Sequence, residues 1–166
     1  MGDCGGKWKK VENKLPDQRW VKFMFIGEYK HTMDEKGRVI MPVKFREGLG
    51  ETFYVTKGFD ECLFVFDANE WENFRHKLDS NALKKKDYRK LQRIFIASAN
   101  DCTLDKQGRV LISNPLREYA GIDKDLVIIG VSNRIELWSK DKWDAYNNDE
   151  NFDLSELAEE LDDLEL

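Results

Sequence analysis

The 166-residue chain carries 27 Lys and Arg against 32 Asp and Glu, a formal net charge of −5, with 41% hydrophobic and 12% aromatic residues. This is the composition of a soluble globular protein with enough chain to bury a core, as one domain or two small ones. No apolar run reaches the roughly 20 residues of a membrane helix, and the N-terminal MGDCGGKWKKVENK has no signal-peptide apolar stretch, so membrane insertion and export are not expected.

Residues 1–23 have little apolar periodicity and several lysines, and they read as a leader outside the fold. Regular pattern begins at Met24. In YKHTMD, residues 29–34, Tyr29, His31 and Met33 alternate with Lys30 and Thr32, which predicts a strand. DEKG follows with turn chemistry: Asp34 can accept backbone N–H groups and Gly37 can take positive φ. RVIM resumes as a strand, so residues 29–41 read as a hairpin with Arg38 just past its tip. Pro42 opens a short helix, VKFREGL, and TFYVTKG and CLFVFD read as two more strands. Residues 68–78 and 84–95 place Trp71, Phe74 and Leu78, then Tyr88, Leu91 and Phe95, at helical spacing.

The first pattern then returns. DEKGRVIMPVKFR at 34–46 is answered by DKQGRVLISNPLR at 105–117, with Pro42 matched by Ser113. CTLD and RVLI correspond to the first hairpin, NPLREYAG to its helix, and LVIIGV and IELW to its last strands. SKDKW ends in Trp143 as DANEW ends in Trp71, and the offset runs from 71 residues at the hairpin to 72 at the last strand. This is a tandem duplication of about 50 residues. A unit that small buries little surface alone, so the halves are expected to pack or interleave as a pseudo-dimer, with both hairpin tips on one face. A core repeat needs only its apolar positions. This one also keeps Asp, Gly and Arg, as a surface used twice does.

Residues 147–166 hold 9 acids and no Lys or Arg, leaving 27 basic against 23 acidic residues before them, a net of +4. A mildly basic body is compatible with an anionic partner. The tail places Leu154, Leu157, Leu161 and Leu164 on one side of an acidic amphipathic helix. It reads either as a solvated or packed helix or as an arm that competes for the basic face. Cys4, Cys62 and Cys102 form no CxxC pair and read as reduced thiols of a cytoplasmic protein. His31 and His76 have no ligand partners nearby, and phosphate-loop, nucleophile-elbow and HExxH motifs are absent. Neither catalysis, nor a metal, nor a cofactor, nor a small-molecule substrate is expected.

GEYKHTMDEKGRVIMPVKFREGLG, TKGFDECLFVF, the second DKQGRVLI and IIGVSNRIELWSKDKW together resemble the MraZ family of bacterial transcription regulators, from about Met24 to Tyr146. The resemblance implies an α+β fold of two tandem AbrB-type (SpoVT-AbrB) swapped-hairpin β units forming a pseudo-two-fold body, with helices between and after them. It divides the chain into the leader 1–23, unit 1 at 28–70, connecting helices at 71–98, unit 2 at 99–142 and the acidic tail 147–166. It implies a nucleoid-associated protein that forms ring-shaped homo-oligomers and binds short repeats in double-stranded DNA upstream of its own division and cell wall operon. On the D-x-x-G-R motifs it assigns DNA contact to Arg38 and Arg109, the bland alternative being that each arginine only pins its own turn through Asp34 or Asp105. Lys36 and Lys106 at the tips are expected to meet phosphates, with Lys44 beside them. Arg46 and Arg117 are expected to be structural, and Asp34, Gly37, Asp105 and Gly108 to form the turns. KKKDYRKLQR reads as a solvated helix face. The rival reading is an antitoxin-like protein of the same fold, whose body binds DNA while its acidic tail sheathes a partner protein.

Overall fold

A computed structural model describes residues 24–161. The leader 1–23, Cys4 and the last residues of the acidic tail, 162–166, lie outside them. The first half runs β1 (Phe25–Thr32), β2 (Arg38–Ile40), α1 (Val43–Leu49), β3 (Phe53–Lys57), β4 (Leu63–Asp67) and α2 (Ala68–Ala82). After α3 (Lys86–Ser98) the series repeats as β5 (Asn100–Cys102), β6 (Arg109–Leu111), α4 (Asn114–Ala120), β7 (Asp125–Ser132), β8 (Arg134–Ser139) and α5 (Lys140–Asn147). A last helix, α6 (Leu154–Glu160), lies in the acidic tail. The architecture is α+β, with six helices among the described residues and every strand pair antiparallel.

The strands interleave the two halves. A six-stranded sheet has the order β1-β7-β8-β4-β3-β5, and β2 and β6 form a separate two-stranded ribbon. Thus β1 of the first half pairs with β7 of the second, and β5 of the second pairs with β3 of the first. At the seam Leu63 faces Leu137, Phe64 faces Glu136 and Val65 faces Ile135. Residues 64 and 136 are 72 apart, so this register is symmetric under the sequence repeat.

The 29–41 hairpin expected from sequence does not form. Beyond the turn a single bridge, Met33 to Val39, joins its two arms. Eight residues of β1 find partners on β7 instead, and the Met33 N–H donates to the Lys124 carbonyl at 2.7 Å. The three-residue β2 offers β1 too short an edge, whereas β7 matches it along its whole length. The next strands, by contrast, pair with their sequence neighbours, β3 with β4 and β7 with β8.

The sheet is covered on both faces, which is why its central strands read as almost unbroken apolar runs. Phe53, Val55, Leu63, Val65, Leu126, Ile128, Ile135 and Leu137 face one way. They meet Val39 and Val110 of the ribbon and Phe45, Leu49, Leu116 and Ala120 of the two short helices. Cys62, Phe64, Phe66, Val127, Ile129 and Trp138 face the other way, against Trp71 and Phe74 of α2, Ile96 of α3 and Trp143 of α5. The Trp motifs follow matched helix caps: Asp67 accepts the Glu70 N–H at 2.8 Å, and Ser139 accepts the Lys142 N–H at 3.1 Å. The change from Pro42 to Ser113 leaves the short helices equal at seven residues, because Pro115 pre-sets φ in the first turn of α4.

On the second face, Glu136 is buried yet satisfied. It accepts from Arg134 Nε at 3.0 Å and from Trp138 Nε1 at 3.0 Å, and the Arg134 guanidinium lies 4.6 Å from the centre of the Phe64 ring. Burial pushes the Cys102 thiol up to about 11 and raises Cys62 as well, so these free thiols stay protonated at neutral pH.

Gly130 on β7 is a point of close approach: a Cβ there would meet the backbone of Phe25 and Ile26 on β1. Gly130→Ala is therefore expected to lower stability by about 1–3 kcal/mol, through displacement of the exchanged strand. Urea unfolding should show this as a lower midpoint at unchanged slope.

Candidate nucleic-acid interface

Each D-x-x-G-R motif builds the same small structure. The Asp34 carboxylate accepts from the Lys36 N–H at 2.9 Å, the Arg38 N–H at 2.8 Å and Arg38 Nε at 2.7 Å. Seventy-one residues on, Asp105 accepts from the Gln107 N–H at 2.9 Å, the Arg109 N–H at 2.9 Å and Arg109 Nε at 2.8 Å. Backbone bonds from Gly37 N to Asp34 O and from Gly108 N to Asp105 O close the turns, with φ of 83° at Gly37 and 77° at Gly108. Those angles favour glycine because a Cβ would clash with the backbone.

The carboxylates are held ionised by this geometry. The Arg38 N–H, with further help from the Arg38 side chain and the Lys36 N–H, outweighs partial burial and keeps Asp34 below its ordinary 3.8. Asp105 is lowered in the same way, first by the Arg109 N–H.

The two turns are locked to each other. Met41 N donates to Gly108 O and Ile112 N to Gly37 O, both at 2.9 Å, continuing the ribbon past its three-residue strands. Each turn is also backed by an arginine from the opposite half: Arg117 lies against Gly37 and Arg46 against Gly108, so a Cβ on either glycine would strike a guanidinium. Arg46 Nε donates to the Met41 carbonyl at 2.9 Å, whereas the buried Arg117 Nε has no such acceptor. Sequence spacing alone could not reveal that these arginines reach across the repeat.

Within the ribbon, Arg38 faces Leu111, Val39 faces Val110 and Ile40 faces Arg109. Val39 and Val110 point into the core, which sends Arg38, Ile40, Arg109 and Leu111 to the outer face by strand alternation. The two arginines are diagonal neighbours, about 7–8 Å apart along the backbone by ordinary sheet geometry. Their only hydrogen-bond partners among the described residues are Asp34 and Asp105, both met through Nε and the backbone, so the terminal nitrogens of both guanidinium groups are free to donate. Lys36, Lys106 and Lys44 are exposed around them. The structure thus brings together all the turn residues singled out from the sequence. It adds Ile40 and Leu111, which sequence reading passed over because a run of at least three consecutive apolar positions hides which of them point outward.

The basic run that leads into and along α3 lies elsewhere, with Lys84, Lys85, Lys86, Lys90 and Arg93 exposed and Phe95 buried. His31 is half-buried, which lowers its pKa, and His76 is exposed. Among the described residues no group of His, Cys, Asp and Glu could hold a metal ion, and no helix is long and apolar enough to cross a membrane.

An interleaved α+β body with one Asp-anchored arginine turn per half defines a two-repeat protein. The family model described as "MraZ protein, putative antitoxin-like" matches residues 24–94 and again 95–165, one match for each half. The chain is 53% identical over 143 residues to the transcriptional regulator MraZ of Thermoanaerobacter sp. (strain X514), covering 86% of this chain and 100% of that protein. It is 54% identical over 138 residues to the transcriptional regulator MraZ of Acetivibrio thermocellus, covering 83% of this chain and 96% of that protein. The chain belongs to the MraZ family.

A carboxylate with a depressed pKa contributes stability above its unfolded value and loses that contribution as pH falls through the folded one. The stability difference between the wild type and Asp34→Asn/Asp105→Asn is therefore expected to be largest above pH 3.8 and to shrink as pH falls from there through the lowered folded-state values. Urea unfolding of both proteins across that range measures it.

Proposed function

We propose that this protein is a sequence-specific, non-catalytic DNA-binding regulator of transcription, and that the outer face of the β2–β6 ribbon is its reading head. The observation that carries this reading is the doubled arrangement in which Asp34 and Asp105 hold Arg38 and Arg109 by Nε and leave their terminal nitrogens without a hydrogen bond among the described residues. An arginine so fixed can present a bidentate fork to a guanine edge or grip phosphates. Lys36 and Lys106 supply further phosphate contacts. The name transcriptional regulator, carried by the relatives, supports the same conclusion.

The finer reading is ours as well. Two AbrB-type swapped-hairpin units, at 28–70 and 99–142, are joined by connecting helices at 71–98. The body assembles with copies of itself into a ring in the cytoplasm, associates with the nucleoid, and binds short repeats upstream of its own division and cell wall operon. The exchange of β1 and β5 between halves supports the fold part of this reading. The rival, in which the acidic tail sheathes a partner protein, draws on α6, where Leu154 and Leu157 are exposed.

Fluorescence anisotropy across a salt series tests the proposal, using DNA from just upstream of the protein's own gene and a shuffled control. Wild type should prefer the native sequence. Arg38→Ala/Arg109→Ala, folded by circular dichroism, should bind at least tenfold more weakly, with a salt slope shallower by about one for each arginine that meets a phosphate. Equal binding of native and shuffled DNA moves the antitoxin-like reading ahead.

Because linked sites raise overall affinity without new contacts, DNA with several spaced repeats should bind at least a hundredfold more tightly than DNA with one. The same titrations, with repeat number varied, measure that ratio.

A further inference from the structure

The outer face of the ribbon is a two-by-two chequerboard: Arg38 beside Leu111 in one row, Ile40 beside Arg109 in the next. The aliphatic squares are exposed, Ile40 by 46% and Leu111 by 60%, although the strands that carry them are pinned at both ends. They stand in equivalent places, 71 residues apart, and each lies directly across the ribbon from an arginine of the opposite half. A surface that met only phosphates would gain nothing from two large aliphatic side chains at its centre. A duplex major groove would suit them. It admits a two-stranded β-ribbon, and the C5-methyl of thymine is the apolar feature on its floor. The charge around the patch favours the same partner: Lys36, Lys44 and Lys106 stand exposed about the ribbon, Asp34 and Asp105 are engaged with their own turns, and Glu35 is exposed beside Lys36.

Building on the DNA-binding reading, we infer that Ile40 and Leu111 are specificity-determining residues that read thymine methyl groups next to the base pairs or phosphates held by Arg109 and Arg38. In this arrangement the arginines supply hydrogen bonding and charge. The aliphatic pair supplies discrimination by shape: cytosine lacks the methyl, and a purine puts a polar edge where the side chain expects carbon.

The test uses the full-length protein and a duplex enriched by it from a randomised 25-base-pair library. Each thymine of that duplex is replaced in turn by deoxyuridine, which removes the methyl and leaves base pairing unchanged. Thymines touched by Ile40 or Leu111 should each show about a three- to fivefold loss of affinity, the worth of one buried methyl. In Ile40→Ser/Leu111→Ser the thymine duplex should bind only as well as the uracil duplex did to wild type, and further replacement should have no effect. The salt slope should not change, because no charge is removed. Wild-type binding indifferent to uracil at every position overturns the inference while leaving DNA binding intact, as does an equal uracil penalty in the variant. A change in assembly mass by light scattering on Ile40→Ser/Leu111→Ser also overturns it, placing these residues in a contact between copies. If no sequence is enriched, the DNA-binding reading itself falls and the inference goes with it.

Discussion

Two backbone hydrogen bonds, from Met41 to Gly108 and from Ile112 to Gly37, hold the candidate site in one piece. A ribbon with three residues on each strand has no independent stability in water. It stands because Val39 and Val110 are driven into the core beneath it and because the adjoining short helices rest on the same apolar layer. The spacing of Arg38 and Arg109 is therefore a property of the folded body as a whole.

The turns themselves were legible in the sequence because their chemistry is local. An Asp that accepts two N–H groups within four residues and a Gly with positive φ before the Arg need no tertiary partner to be recognised. Strand partners are a different matter. The alternation through Tyr29, His31 and Met33 reports that one side is buried, but it carries no information about which edge supplies the hydrogen bonds. Hence the local hairpin suggested by the sequence gave way to the longer pairing with β7. Duplication did announce that the halves would share a core, since 50 residues bury too little alone. The reach of Arg46 and Arg117 behind the opposite turns had no sequence signal.

The anchoring of each Arg by its own Asp resolves what looks like a conflict of roles. A carboxylate beside an arginine lowers the charge available to an anionic partner, and ion pairs this exposed are worth little to stability. What the carboxylate supplies is direction. Long side chains lose rotamer freedom when they bind, and one already held through Nε has less left to lose. On the DNA-binding reading proposed above, the unanchored lysines around the turns add charge to that of the oriented arginines.

The seam between β4 and β8 shows that the halves have ceased to be interchangeable. Phe64 of one faces Glu136 of the other, and the carboxylate is accommodated by Arg134, Trp138 and the aromatic ring that Arg134 covers. Two second halves brought together in the same register would set Glu136 against Glu136 in a buried strip, a like-charged cross-strand pair that sheets disfavour. Two first halves would set Phe64 against Phe64 and leave no carboxylate at the seam. The complementary pairing requires one half of each kind. A single chain delivers them in that ratio at every synthesis, so covalent linkage here acts as a sorting device that keeps the second half from assembling with its own kind.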